Sequence, residues 1–394
     1  MRPLEHLTLL DLSRVLACPF ASMILAELGA TVIKIEQPGS GDETRGFEPQ
    51  LAKDSAYFFA CNRSKASVTV NLRSPEGQRI VRELSQQADV LVENFPVGTL
   101  ARYGLDFATL SGLNPELVYL SCTGFGQSGP YAHKKGYDTV FQAMGGIMSL
   151  TGEKGGAPVK PGLPVADLTS GLWVAIAILA LLAGRERSGR GAHVDFSMLD
   201  GQVALLTLAA ARWFALGEVP PRLGTEHPGR VPSATFRCAD GRYAHITASD
   251  RHWGPLCQAL GIAEWGAQSR FADNAQRVAA REEVMATLTE AVATLERPAL
   301  LAALDALEVP VGPVNDVAEV LADAQVRARR MIGSFDYPQV GEFRALALPF
   351  KFLGWDNPEI GAPPTLGEHT EQVLAERLGY SRERIAQLRE AKAI

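Results

Sequence analysis

The 394-residue chain has few cysteines, no long block of basic residues, and no glycine-rich turn where its opening pattern invites one. Each absence removes a class of function. The five cysteines, Cys18, Cys61, Cys122, Cys238 and Cys257, are scattered without CxxC or Cys/His spacing. No metal site is expected from them, and their odd number argues against a complete disulfide framework, so the expected location is a reducing cytoplasm. A net charge of -6 gives no electrostatic reason to expect nucleic acid. Met1, Arg2, Pro3 and Glu5 lead directly into a short strand-like run, without the charged start, apolar stretch and cleavage site of an export signal. The most apolar run, Leu172 to Ala183, is shorter than the ~20 residues a bilayer demands and reads as a core helix, so no membrane association is expected.

What is present is a hydrophobic content of 46%, enough for a large core and, at this length, for two domains. Leu7 to Asp11, Pro19 to Leu28 and Thr31 to Glu36 read as strand, helix and strand, with Gly29 placed to cap the helix in a left-handed conformation. A second unit follows: a strand from Val68 to Leu72, a helix opened by Ser74 and Pro75 and running to about Ala88, and a strand from Val90 to Phe95. Strands at Leu117 to Cys122 and His193 to Phe196, with helices near 168–184 and 199–216, complete the pattern of an α/β, Rossmann-like doubly wound sheet. Residues 1–216, completed by 326–394, are expected to form this large domain. Residues 217–232, rich in proline and glycine, form a linker. A smaller α+β domain at 233–310 begins with a hairpin around Asp240-Gly241, and 311–325 return the chain to the large domain. Helical patterns, a strand from Phe343 to Phe352 and two terminal helices close the sequence.

A βαβ start invites a dinucleotide, and Glu36 stands where an acid would hold a ribose. The turn after the first strand, Leu12 to Pro19, contains no glycine, so the close approach to a pyrophosphate that GxGxxG provides is missing. A nicotinamide or flavin enzyme is therefore disfavoured. The ordered segments instead resemble a known family. They are DLSRVLACPFASMILAELGATVIKIEQPGSGDETR (11–45), NRSKASVTVNL (62–72), VENF with Arg102 behind it, SCTGFGQSGPY (121–131), KGYD (135–138), PVADLTSG (164–171), ERSGRGAHVDFSMLDG (186–201) and LGEHTEQVL (366–374). In this order and spacing the chain resembles the class III CoA-transferases, the formyl-CoA transferase group also called the CaiB/BaiF family. The resemblance implies a two-domain chain forming an interlocked, ring-like homodimer. It also implies an acyl-CoA and a small carboxylic acid as substrates, with no permanently bound cofactor.

By that resemblance Asp167 is the nucleophile. A carboxylate suits this chemistry, because attack on a thioester gives a mixed anhydride and a CoA thiolate, which converts the anhydride to an aspartyl-CoA thioester. Read without the family, Asp167 is an ordinary N-cap for a helix starting near Leu168. The resemblance also places Val15 and Ala17 near the nucleotide, Asn94 and Arg102 on CoA, and Lys135 on a phosphate. On their own, Arg102 and Lys135 would be read as solvated surface charges. Tyr137 and Asp138 are expected near the acyl end, and Gly124 to Pro130 could present backbone N–H groups to an oxyanion. Arg14, Leu16 and Gln37 depart from the His, Gln and Arg of formyl-CoA transferases, so the detailed adenine contacts of that version are not carried over.

The loop GTEHPGRVP (224–232) lacks the glycine run of formyl-CoA transferases, and its His227-Pro228 resembles relatives acting on succinate and glutarate. His227 is therefore a candidate substrate residue, with a plain loop histidine as the alternative. A short dicarboxylate would call for an arginine, for which Arg45, Arg222 and Arg230 are candidates. Two further readings stay open. One is an acyl-CoA racemase or epimerase of the same fold, although such relatives carry GHD where this chain has Gly136-Tyr137-Asp138, and a tyrosine with a pKa of ~10 is a poor partner for proton exchange. The other is a non-catalytic CoA-binding relative.

Overall fold

Strands Thr8–Asp11 and Thr31–Glu36 lie side by side in parallel, joined by helix Ala17–Glu27. The computed structural model describes residues 2–394. Four more strands extend this unit into a six-stranded sheet in which every pairing is parallel. The spatial order is Ala66–Thr69, Thr31–Glu36, Thr8–Asp11, Val90–Glu93, Val118–Thr123, His193–Ser197. Every residue of Val90–Glu93 and Val118–Thr123 is buried, as expected of central parallel strands covered on both faces. Helices Pro75–Ser85, Phe107–Leu113, Thr370–Leu378 and Arg382–Glu390 pack into the core on one face, and Ala17–Glu27 and Val165–Ser188 on the other.

The direction of winding reverses between Thr8–Asp11 and Val90–Glu93. Open α/β sheets bind ligands in the crevice at such a switch point, beyond the carboxyl ends of the strands. The two segments leaving those ends here are 12–16 and 94–97.

Helix Val165–Ser188 is longer than its apolar run suggests and is the one helix, among the described residues, long and apolar enough to cross a membrane by length and composition. Its buried side, which includes Ala166, Ser170, Gly171, Val174 and Ile178, belongs to the core it shares with helix Ala17–Glu27, while Leu172, Trp173 and Ile176 stay exposed. Gly171 sets how close the two helices come, since a Cβ there would lie 2.6 Å from the Ala17 carbonyl oxygen. The expected helix at 199–216 is two helices, Met198–Leu205 and Thr207–Leu216.

The chain divides into two compact units. The larger comprises 1–147, 160–214 and 325–394; the smaller comprises 148–159 and 215–324. In the smaller unit, Ser233–Arg237 and Tyr243–Thr247 form the expected hairpin, joined by a third antiparallel strand, Val311–Pro313. Helices Asp250–Ala259, Arg281–Val292 and Arg297–Asp305 supply much of its core.

In the larger unit, the C-terminal strand ends at Leu346, six residues earlier than its apolar pattern suggests. Pro349 cannot donate to a ladder. Its partner, Ile332–Tyr337, lies in a stretch whose pattern reads as helical. Phe335 and Tyr337 of that strand pack with Phe343 around Phe59.

Candidate active site

The switch-point crevice is built on a buried carboxylate. Asp11, the last residue of its strand, accepts hydrogen bonds from the Ser13 backbone N–H (2.9 Å), the Ser13 hydroxyl, the Ser22 hydroxyl (2.6 Å) and the Lys65 ammonium (2.9 Å). Burial alone would raise its pKa. The ammonium groups of Lys65 and Lys34, with the two serine hydroxyls, outweigh burial and hold it well below the ordinary carboxylate range. The strand end, the following loop and the first turns of helix Ala17–Glu27 are thereby tied together. From the other side of the switch, Asn94 accepts from the Arg14 backbone N–H (2.9 Å) and donates to the Arg14 carbonyl (2.7 Å). Val15, with φ of 70°, is held in a left-handed conformation unusual for a β-branched residue.

Two cavities open over these loops in the larger unit. One, of about 910 Å³, has Lys34, Glu36 and Asp42 among its lining residues and Arg14, Arg73 and Arg102 as its guanidinium groups. Lys34 pairs with Asp42 at 2.9 Å and donates to the Ser13 carbonyl at 2.9 Å. Glu36 accepts from Arg45 at 2.7 and 2.8 Å, from Ser67 at 2.6 Å and from the Asp42 backbone N–H at 3.0 Å. Arg45 also pairs with Asp54 at 2.6 Å. Glu36 therefore has no oxygen left over for a ribose. Arg102 is exposed, and its guanidinium lies a long 3.4 Å from the Thr99 hydroxyl.

The second cavity, of about 490 Å³, shares Arg14, Glu43, Phe95 and Pro96 with the first and contains Asp167 in its wall. Helix Val165–Ser188 begins with Pro164 as N-cap, which makes Asp167 its third residue. The expectation of an N-cap aspartate is thus corrected: the helix starts three residues before Leu168, and Asp167 is not its cap. Its backbone N–H instead donates to the Asp138 carboxylate at 3.1 Å. Burial, and then the negative charge of Asp138, push the Asp167 carboxyl up to about 7. No cation among the described residues pairs with it, so near neutrality Asp167 is a carboxyl poised between its two states, facing an open cavity.

Residues 4–370 match the model of CoA-transferase family III. The chain belongs to this family. It is 37% identical to succinyl-CoA:glutarate CoA-transferase of Mus musculus, over 98% of this chain and 89% of that protein. It is 40% identical to succinate–glutarate CoA-transferase of Agrobacterium fabrum, over 95% of both. The crystal structure of a CaiB/BaiF family protein from Brucella suis superimposes with a TM-score of 0.86 at 42% identity, covering 95% of this chain and 99% of that one.

In this family III CoA-transferase, the 490 Å³ cavity brings together Val15, Ala17, Asn94, Lys135, Tyr137, Asp138 and Asp167. Arg102 lines the neighbouring larger cavity. Lys135 and Tyr137 are exposed, Tyr137 by 79%. Asp138 opens helix Asp138–Met144, but its carboxylate reaches the backbone of Asp167 in helix Val165–Ser188 and does not cap its own helix. Of the glycine-rich segment 124–130, Gly124 reaches the cavity wall. A Cβ on Gly124 or Gly136 would lie 2.5 Å from the Phe141 ring.

His227 belongs to the smaller unit, where its Nδ1 accepts from the Gly229 backbone N–H at 3.0 Å. Among the arginines considered for a distal carboxylate, Arg45 is excluded, being buried between two acids, and Arg222 donates to the carbonyls of Gly156 and Ser149. Arg230 is exposed. Sequence reasoning missed Arg73 of the larger cavity and His133 and Lys134 of the smaller one. Arg73 directly follows the segment 62–72 and His133 and Lys134 directly precede KGYD, so all three could have been found from the motifs beside them.

Proposed function

We propose that this transferase moves CoA from a short dicarboxyl-CoA, such as succinyl-CoA, to a short dicarboxylic acid, with Asp167 as covalent nucleophile. The observation that carries the proposal is the raised, cation-free carboxyl of Asp167 in the wall of the 490 Å³ cavity. A carboxylate oxygen of Asp167 attacks the thioester carbonyl, the C–S bond breaks, and CoA leaves as thiolate. The thiolate attacks the aspartyl carbonyl of the mixed anhydride, expelling the donor acid as carboxylate and leaving aspartyl-CoA. The acceptor carboxylate then attacks this thioester, and the released thiolate takes the acyl carbon of the second anhydride, regenerating Asp167. Charge balances at each step, with no change of oxidation state.

Arg14, Arg73, Arg102, Lys134 and Lys135 are cations in or beside the path assigned to CoA, and phosphates favour such a set. Val15, Ala17 and Asn94 shape the loops beneath it. Tyr137, Asp138 and His227 are assigned to the acyl end. The substrate class is supported by the two relatives named for succinyl-CoA or succinate together with glutarate, at 37% and 40% identity. The uncovered apolar side chains Leu172, Trp173 and Ile176 on the nucleophile's helix, with Leu208 and Phe214 on helix Thr207–Leu216, support a homodimer. We extend that reading to interlocked protomers in which 1–216 with 326–394 bind CoA, 233–310 form the smaller domain, and 217–232 and 311–325 link them. Five unpaired thiols fit a reducing cytoplasm.

The test is Asp167→Asn, assayed with succinyl-CoA and a panel of free acids. Asn keeps the size of Asp but cannot form the anhydride. Loss of nearly all turnover, together with hydroxylamine trapping at Asp167 in the wild type only when donor is present, is the expected result. Substantial residual kcat without deamidation overturns the covalent reading. A strong preference for monocarboxylates over C4–C6 dicarboxylates overturns the substrate class.

A further inference from the structure

Gln142 is fully buried one turn into helix Asp138–Met144. Its side-chain Nε2 donates to the Asp138 carboxylate at 2.5 Å and lies 3.4 Å from the Leu163 carbonyl, just ahead of the nucleophile's helix. The other carboxylate oxygen of Asp138 accepts from the Asp167 backbone N–H at 3.1 Å. One amide thus joins three points: the segment entering the helix, the acid beside it, and through that acid the backbone of Asp167.

The price of this arrangement shows on the same side chain. Gln142 Oε1 is buried without a hydrogen-bond partner. Turning the amide over would not help, because Oε1 would then face a carboxylate that only accepts. Buried acceptors are rarely left unpaired, and an apolar side chain of similar size would remove the penalty. Packing alone therefore does not account for glutamine at this position, whereas a need to hold the Asp138 carboxylate does. A second buried glutamine repeats the theme: Gln202 Nε2 donates to Thr169 Oγ1 at 3.0 Å, and Gln202 Oε1 is likewise unpartnered. The N-terminal end of the nucleophile's helix with the segment entering it, from Leu163 to Thr169, is gripped from two neighbouring helices.

We infer that Gln142 is a positioning residue for CoA transfer: by fixing Asp138 it fixes the backbone of Asp167, and so the direction from which the carboxylate meets the thioester. The inference rests on Asp167 being the nucleophile. Gln142 is buried and acts through another residue. Its removal should therefore lower kcat and leave acyl-CoA binding largely intact, since misplacement of a reacting group by ~1 Å costs up to about 100-fold in rate.

The experiment uses full-length Gln142→Met, Asp138→Ala, the double variant and Asp167→Asn, measured in parallel for steady-state kinetics and for the aspartyl hydroxamate that hydroxylamine forms from the activated Asp167 carbonyl in a single turnover. Gln142→Met is expected to lose about 10-fold or more in kcat and in the trapping rate, with KM for acyl-CoA changed less than about threefold. The double variant is expected to be no slower than Asp138→Ala alone, because the two side chains act in series. A Gln142→Met enzyme within about twofold of wild type, or losses that multiply in the double variant, overturns the positioning role. Should Gln142→Met fail to fold by circular dichroism, Gln142→Leu is judged by the same criteria, since an apolar side chain cannot donate to Asp138 in any protonation state. If Asp167→Asn is inactive while Gln142→Met is not impaired, only this inference falls. If Asp167→Asn turns over normally, the nucleophile assignment falls and the inference goes with it.

Discussion

Asp167→Asn should make the folded protein more stable at alkaline pH while it abolishes turnover. The sign follows from the direction of the shift. Asp167 titrates at about 7 in the folded chain against an ordinary value of 3.8, so between those values the unfolded chain has lost a proton that the folded chain keeps. Stability therefore falls as pH rises through that window, and above it the cost is complete. At ~1.4 kcal/mol per pKa unit the cost approaches about 4 kcal/mol near pH 8 and is only about 1.6 kcal/mol near pH 5. Asparagine carries no charge at either pH. The stability gained by the substitution should accordingly grow by about 2–3 kcal/mol between pH 5 and pH 8.

One effect opposes this. A carboxylate in the first turn of a helix is favoured by the aligned peptide dipoles, but that contributes only about 0.3–1 kcal/mol and cannot reverse the sign. The assay is denaturant unfolding of both proteins at equal concentration and at the two pH values, with turnover measured on the same preparations. A constant gap between wild type and variant, or a variant that is less stable at pH 8 than wild type, would refute the claim that Asp167 is held as a costly, uncompensated carboxyl.

The same carboxyl predicts that aspartyl-CoA formation, measured by rapid quench in a single turnover, rises about tenfold per pH unit below pH 7 and levels off above it; a limb at the usual carboxylate pH near ~4 contradicts the burial argument. Arg45→Met should lower the urea midpoint by the equivalent of about 3–5 kcal/mol, because it strands the buried charges of Glu36 and Asp54; a midpoint unchanged from wild type would show that those acids do not depend on it. Gly171→Ala puts a Cβ 2.6 Å from the Ala17 carbonyl oxygen and 2.9 Å from the Phe20 ring. It should lower stability by about 1–3 kcal/mol despite alanine's better helix propensity, and depress kcat by shifting the helix that carries Asp167; a wild-type melting curve counts against it.

The large sheet was readable because its signals are local. Thr31–Glu36 has the bounds its apolar pattern gives, and Ser74-Pro75 opens helix Pro75–Ser85 as such a pair should. The strand Ile332–Tyr337 was not readable. Its buried residues, Phe335 and Tyr337, are dictated by the distant Phe59 against which they pack, and no local period reveals that. The position of Asp167 within its helix was hidden for a related reason. Asp is a good N-cap and Pro a poor-looking one, yet Pro164, which cannot cap with its side chain, sits at that position, while Asp167 finds its partner 29 residues away in Asp138. Arg45 illustrates the opposite error. A guanidinium in a motif segment looks available for a substrate carboxylate until the fold surrounds it with Glu36 and Asp54.

The two cavities share a wall but differ in how their charges are treated. Below the larger one, Asp11, Lys34, Glu36, Asp42 and Arg45 are buried and paired, each within 3.0 Å of an opposite charge. Lys34, Glu36, Asp42 and Arg45 have their charged states favoured by these pairs, whereas burial brings Lys65, the partner of Asp11, down to about 8; together the pairs hold the loops at 12–16 and 40–46 in one shape. In the wall of the smaller cavity a single carboxyl is desolvated, has an acid for a neighbour, and lacks a cation. Supplying Asp167 with a lysine would remove the stability cost and, by the same interaction, bring its pKa down and make it a weaker nucleophile. The energetic penalty and the reactivity therefore have one origin, and any substitution that relieves the first is expected to reduce the second.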